Sequence, residues 1–185
     1  MAHDISEVTV GGRNIVEAMY ANSPAWHGLG KVFDRDGKQA PDSATAIRLA
    51  HLDWTVGIEP MQLADGTKVN DWFATVRSDT RSTLGIVGSR YNVLDNCNAF
   101  SFLDGLCQDG IIRYESAFAL SGGKRVALLA RMPSAVDEIC EGDVSMRYVL
   151  LYNSHDGSSQ VTLTPTSVRV VCANTFRIAL SNKTY

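Results

Sequence analysis

The feature that most constrains this chain is a series of short runs that alternate apolar and polar residues between clusters of turn formers. A two-residue period belongs to strands that are half-buried on a sheet. Trp54, Val56 and Ile58 alternate, and the run is expected to continue past Pro60 to Leu63. "ADGT" then makes a turn, "KVNDWFATVR" returns as the partner strand, and "TLGIVGSRY" adds a third strand ending near Tyr91. "IIRYESAFAL" and "KRVALLARM", joined through "SGG", read as an antiparallel hairpin. "VSMRYVLLYNS" and "SQVTLTPTSVRVV" flank "HDGS" in the same manner.

Helical spacing is confined to a few places. A helix is expected from about Ser43 to Leu52, capped by Asp42 or Ser43 after Pro41, with Ala44, Ile47 and Ala50 on one face. "NCNAFSFLDGLCQDG" places Phe100, Leu103 and Leu106 at helical intervals, with Asn96 as cap and Gly110 as stop. "CANTFRIALSNK" reads as a helix running to the end, and "PSAVDEICEGD" as an acidic connector. Residues 1–40 are poorly periodic and are expected to form an N-terminal arm or loop region, with "DRDGK" as a loop tip. Residues 41–185 are expected to form a single α+β domain. Its order of elements lacks the regular βαβ repeat of a nucleotide-binding sheet. The expected core is a curved antiparallel or mixed sheet of about six to seven strands with helices packed on one face. The last helix has no following partner, so the chain is expected to continue beyond Tyr185.

Composition narrows the function classes. The 185 residues are 45% hydrophobic and 20% charged, which fits one folded core and argues against disorder. No apolar run approaches the length of a membrane span, and no charged-then-apolar leader follows Met1, so no membrane partner is expected. Cys97, Cys107, Cys140 and Cys172 contain no C-x-x-C pair, so free thiols in a reducing cytoplasm are expected. The net charge of −3 counts against a predominantly phosphate-binding protein. The charge is unevenly spread, however: residues 1–66 hold five basic and nine acidic side chains, whereas residues 67–131 hold eight and six.

Motifs for chemistry are sparse. "GLGKVF" lacks the spacing of a phosphate loop, and "LGIVGSR" resembles a bulged strand more than a dinucleotide loop. No cofactor is expected. His3, His27, His51 and His155 are scattered, with no H-E-x-x-H pattern. The sharpest local candidate is "NSHDGS", where His155 and Asp156 can converge in a turn and form a metal or hydrolase site together with His27. The same Asp156-Gly157 step is what a tight hairpin requires, and Ser154 and Ser158 can bond the turn backbone. Cys172 at a helix start is a candidate thiolate, but its apolar surroundings favour simple burial, with Asn174 or Thr175 as the cap. Trp26 and His27 of "PAWHGLG" can form a docking or lid segment, or pack on their own domain.

Arginines supply the remaining signal. Arg77, Arg81 and Arg90 surround the third strand, Arg113, Lys124 and Arg125 flank the next hairpin, and Arg147 and Arg169 lie in the last pair. Gathered on one face they would form a track for a phosphate backbone, on which Tyr91, Tyr114, Tyr148 and Tyr152 could stack unpaired bases. Strand parity sets a limit. Arg147 and Tyr148 point to opposite sides, as do Arg113 and Tyr114, so neither pair lines one flat groove without a bulge. Solvated arginines on an outer sheet face are the plain alternative.

Several separated stretches carry a resemblance: "PAWHGLG" (24–30), "RSDTRSTLGIVGSRYNVLDN" (77–96), "GGKRVALLARMP" (122–133), "NSHDGS" (153–158) and "VRVVCANT" (168–175). Together they resemble a family of phage- and plasmid-borne proteins of uncharacterised function, the DUF932 or phage/plasmid-like proteins. That setting and a β-rich core imply a distant structural comparison with Rad52-like single-strand annealing proteins, whose β-β-β-α core has the order read here from Gly57 to Cys107. The expectation is therefore a non-enzymatic protein that binds or anneals single-stranded DNA and assembles as a homo-oligomer. A metal-dependent nuclease or hydrolase at the "NSHDGS" turn and an oligomeric assembly or interaction protein are the alternatives.

Overall fold

The computed structural model describes residues 3–21, 23–33, 40, 42–140 and 143–181, with residues 135–140 and 143–145 described by their backbone alone. Among the described residues the strands form three sheets. The largest has six strands: β3 (Ala18–Ala21), β4 (Lys31–Phe33), β8 (Arg113–Leu120), β9 (Arg125–Cys140), β10 (Asp143–Ser154) and β11 (Thr162–Thr166). Their spatial order is β11-β10-β9-β8-β3-β4. The β3–β4 pairing is parallel and the others are antiparallel, so the sheet is mixed. A second sheet joins β5 (Val56–Gln62), β6 (Lys68–Arg77) and β7 (Thr83–Gly88), and a two-stranded ribbon joins β1 (Glu7–Val10) to β2 (Arg13–Val16). The α+β class and the mixed sheet follow the alternation in the sequence.

Alternation along β9 divides the core in two. Val126, Leu128 and Ala130 face one side, where they meet Ala46 and Ile47 of α1 (Ser43–Leu49) and Phe100 of α2 (Asn96–Phe100). Ala127 and Leu129 face the other, against Ile5 and Ala25 of the N-terminal segment and Phe176 of α4 (Ala173–Ser181). Helices therefore cover both faces rather than one. The α4 helix is anchored by Phe176, whose ring meets Tyr152 edge-on at 5.2 Å. Sequence alternation reports that a strand is two-sided but not which helix covers which side.

The N-terminal residues expected as an arm contain four strands, and β3 enters the main sheet between β8 and β4. All four residues of β3 are buried, so "AMYA" carries no alternation to reveal it. The acidic segment expected as a connector instead extends β9 to Cys140. In α1, Asp42 accepts a hydrogen bond from the Thr45 amide at 2.7 Å, as a capping residue should. The buried side of α1 is formed by Ser43, Ala46 and Ile47, whereas Ala44 is exposed. A 3-10 turn at Ser101–Leu103 joins α2 to α3 (Asp104–Gln108), and Leu106 is 39% exposed rather than part of the core. Asp104 knits α3 to its surroundings, accepting from the Ser43 amide and hydroxyl and from Tyr114 Oη at 2.6 Å.

The second sheet closes against the β10–β11 turn at Gly85. A Cβ added there would stand 2.5 Å from Asp156 Cα and 2.8 Å from its carbonyl oxygen, both backbone atoms that cannot move independently. At Gly57 in the same sheet, the nearest atom would be 3.9 Å away. Gly85→Ala is therefore expected to destabilise the chain by about 1–3 kcal/mol or more. Gly57→Ala should change it far less, and urea denaturation of the two variants compares them directly.

Candidate functional site

Arg77 ends β6 and lies wholly inside the protein. Its five N–H bonds are all used. Nε and Nη2 donate to the Asp79 carboxylate, Nη1 and Nη2 to Glu17, and Nη1 also to the Gly122 carbonyl, at 2.7–3.2 Å. Glu17, in the link from β2 to β3, is equally buried and also accepts from Trp54 Nε1 at 2.8 Å. The guanidinium carbon stands 4.0 Å from the Trp54 ring centroid, a cation–π contact. Burial pushes the Glu17 carboxyl up, but three N–H donors converge on its two oxygens, and the ionised form is the one this geometry satisfies. Burial also disfavours charge on Arg77, and its bonds to Glu17 and Asp79 outweigh that.

The "NSHDGS" turn is tied to the same centre. His155 is fully buried, with its ring 5.3 Å from Trp54. Asn96 Nδ2 donates to the Leu52 carbonyl at 2.8 Å, which leaves Asn96 Oδ1 to accept from His155 Nε2 at 2.9 Å. That fixes the neutral imidazole with its proton on Nε2, while Nδ1 is buried without a hydrogen-bond partner. Burial holds the imidazole pKa down at about 4. The backbone of His155 is also held, its amide donating to the Lys124 carbonyl and its carbonyl accepting from Thr75 Oγ1, each at 2.8 Å. Asp156 Oδ1 accepts from Ser154 Oγ and from the Ser158 amide, and Gly157 supplies the positive φ of 75°.

A family described as Domain of unknown function (DUF932) matches residues 83–185, more than half of the chain. The chain belongs to the DUF932 family. No curated protein and no solved structure matches it. The DUF932 segment runs from β7 to the C-terminus and contains Asn96 and His155, while Glu17, Trp54 and Arg77 lie before it. The buried centre thus joins the DUF932 segment to the residues that precede it.

The structure separates the residues of the expected metal or hydrolase site. His155 packs with Trp54 beneath α2, whereas His27 lies on the opposite face of the six-stranded sheet. There its Nε2 meets the Val171 carbonyl at 3.1 Å and its ring contacts Tyr20. Asp156 is spent on the turn. Among the described residues no group of three His, Cys, Asp or Glu side chains is placed to hold a metal ion. A pocket of about 300 Å³ beside the buried centre is lined by Glu17, His51, Asp53 and Asp79, but Glu17 and Asp79 are both committed to Arg77. Cys172 is buried at the start of α4. Burial raises its thiol pKa, and hydrogen bonding with Thr175 and Trp26 outweighs this to lower it. The helix starts at Ala173, ahead of the expected cap at Asn174 or Thr175, and Thr175 Oγ1 reaches back from its first turn to accept from the Cys172 amide at 3.1 Å. Trp26 stays two-thirds exposed.

The basic residues divide into those bound within the fold or in exposed ion pairs and those at exposed positions. Arg77 is internal, Arg81 forms an exposed ion pair with Glu59, and Arg169 bonds Glu115 at 2.7 Å and the Ala21 and Ser23 carbonyls. Arg90, Arg113, Lys124, Arg125 and Arg147 are exposed. Of the tyrosines, Tyr114 is buried against Asp104 and Tyr152 against Phe176, which removes both from any stacking surface. Tyr91 is half-buried and donates to the Ser154 carbonyl. The sequence reading passed over Arg131, which pairs directly across the β8–β9 ladder with Arg113 and across β9–β10 with Tyr148. Counting register back from the "SGG" turn would have set Tyr114 opposite Arg131, because the bulge at Glu115 that brings Arg113 there instead has no signature in the sequence.

Two outcomes follow from the buried centre. Arg77→Met strands the Glu17 carboxylate and should cost about 3–5 kcal/mol, partly recovered in Arg77→Met/Glu17→Gln, as read from denaturant midpoints. His155 binds its proton less readily folded than unfolded, so its contribution is present above pH 6.5 and lost as the pH falls towards about 4. Thermal melts across that interval should reveal a loss of roughly 3 kcal/mol, with a shallower dependence in His155→Gln.

Proposed function

We propose that this DUF932 protein, of phage or plasmid origin, is a non-enzymatic nucleic-acid-binding protein that engages the phosphate backbone of single strands. The observation that carries the reading is the distribution of cations on one side of the main sheet. Arg125, Ala127, Leu129 and Arg131 share one face of β9, with Ala127 and Leu129 buried beneath the N-terminal segment and α4. Arg125 and Arg131 therefore mark the two ends of that face, about 20 Å apart for six residues of strand. Arg113 joins Arg131 at its end, and Arg177 is exposed on α4 above the covered middle. A strand crossing α4 would meet guanidinium groups at both ends and at the centre. Arg147 faces the other side with Met132, and it is not part of this track.

The inward commitment of His155 and Asp156 supports binding without a chemical step. Assembly of several copies accords with the exposed Trp72 and Ile86, on one outer face of β6 and β7.

A fluorescent single strand of about 30 nucleotides should bind at about 50 mM salt and weaken steeply by about 200 mM, more tightly than an equal-length duplex. Arg125→Ala and Arg177→Ala should each lower the salt slope by about one, while Arg81→Ala leaves it unchanged. Light scattering on the same sample reports the assembly. Absence of binding at the lower salt by the intact protein would overturn the reading.

A further inference from the structure

The Arg113–Arg131 pair is unusual within this fold. Directly opposed like charges destabilise a strand pair, yet here two arginines stand at directly opposed positions on one face. Elsewhere buried or half-buried arginines are matched: Arg77 by Glu17 and Asp79, Arg169 by Glu115. Glu115, the acidic residue nearest in sequence to Arg113, is bonded to Arg169 at 2.7 Å, and among the described residues it makes no ion pair with Arg113 or Arg131. Arg131 Nε is buried without a hydrogen-bond partner, and Nη1 reaches only the Met146 sulfur at 3.7 Å, a weak acceptor. A charged donor left in that condition is costly unless an acceptor arrives.

The backbone places the two together. A bulge at Glu115 interrupts the β8–β9 register between Tyr114 and Ser116, and it puts Arg113 opposite Arg131 on the α4 side of the sheet. Tyr148 is the partner of Arg131 on β10 and is buried in the core on that face, with the charges of Glu115, Arg169 and Arg131 nearby. The two arginines on adjacent strands present a fork of N–H donors. A tetrahedral oxyanion offers acceptors in several directions at once, and a side-on guanidinium can give it both an Nε–H and an Nη–H bond.

We propose that Arg113 and Arg131 form a binding site for a phosphate group. Naming phosphate among oxyanions rests on the single-strand reading above. The phosphate can belong to a nucleic-acid strand or to a small phosphorylated molecule, and both present the same oxygens to the pair.

The test uses the full chain and follows arginine Nε–H resonances by NMR while inorganic phosphate replaces chloride at constant ionic strength. Arg131→Met identifies the Arg131 signal by removing it. A saturating shift of that signal is expected, with phosphate affinity weakened about tenfold or more in Arg113→Met and unchanged in Arg81→Ala. Without phosphate, Arg113→Met should melt no lower than the native chain, because it removes a like-charge opposition; a folded, stable variant that cannot bind phosphate is the signature. A short 5′-phosphorylated oligonucleotide, its unphosphorylated counterpart and a sugar phosphate then identify the source. Phosphate binding with no binding of either oligonucleotide upholds the site and removes the single-strand reading. Competition between oligonucleotide and phosphate upholds both. No saturating shift in the native chain, or equal affinity in Arg113→Met, overturns the site whatever the oligonucleotides do.

Discussion

The fold depends on one buried cation. Arg77 ends a strand of the small sheet and donates to Glu17 ahead of β3, to Asp79 beyond its own strand and to Gly122 at the β8–β9 turn. Those partners come from the small sheet, the N-terminal strands and the main sheet, so one guanidinium fixes their mutual placement. Arginine is needed because its planar fork offers five donors, and all five are met. A lysine has three donors on a flexible stem and would leave part of the carboxylate pair unbonded inside the protein. Gly123 is part of the same constraint. A Cβ there would lie 2.7 Å from Arg77 Nη1 and 3.1 Å from the Trp54 ring. The "SGG" turn therefore has to be narrow for packing as well as for its positive φ.

This centre also decides what the most suggestive motif does. A histidine beside an aspartate in a hydroxyl-rich turn looks like chemistry, but the Trp54 ring and Asn96 take the imidazole into the core. Asp156 then closes the turn with Ser154 and Ser158. The serines, the aspartate and the glycine are together a complete turn, which leaves the outer surface of that end to Lys124 and Arg125. The function proposed for the protein therefore sits with the cations around the motif and on α4, not with the motif itself.

The parts of the fold visible in the sequence were those written in alternation or in long apolar runs between turn formers. β5, β6 and β7 were read from alternation, and the β8–β9 and β10–β11 hairpins from such runs, since Tyr114–Leu120 and Val126–Ala130 are buried on both faces. β3 was hidden because "AMYA" is covered on both faces and so has no period. The "PSAVDEICEGD" segment was hidden for the opposite reason, since acidic composition reads as a loop while its backbone continues β9 as far as Cys140. Asn96 shows a third limit. An asparagine before an apolar helix reads as a cap, yet its amide spans from Leu52 to His155, a tertiary role with no local signature. The same applies to Arg77, whose partners lie 60 residues before it and 45 after it in the chain.

Arginines are the clearest case of what sequence leaves open, because solvated, structural and ligand-seeking guanidinium groups are spelled alike. What separates them is whether the surrounding protein supplies acceptors. Arg77 and Arg169 have carboxylates and carbonyls within bonding distance, so their charge is consumed in holding the fold. Arg113 and Arg131 face each other across a ladder whose nearest acidic group is already paired, and Arg131 keeps a buried donor with nothing to receive it. Evenly scattered surface charge would not concentrate that deficit at one end of one sheet face. The net negative charge of the whole chain does not oppose this, because screening confines such fields to about 8–10 Å and a local pair of guanidinium groups sets its own potential. An acidic protein with an unneutralised arginine pair is one whose overall charge repels polyanions weakly while a defined point on its surface accepts a phosphate group.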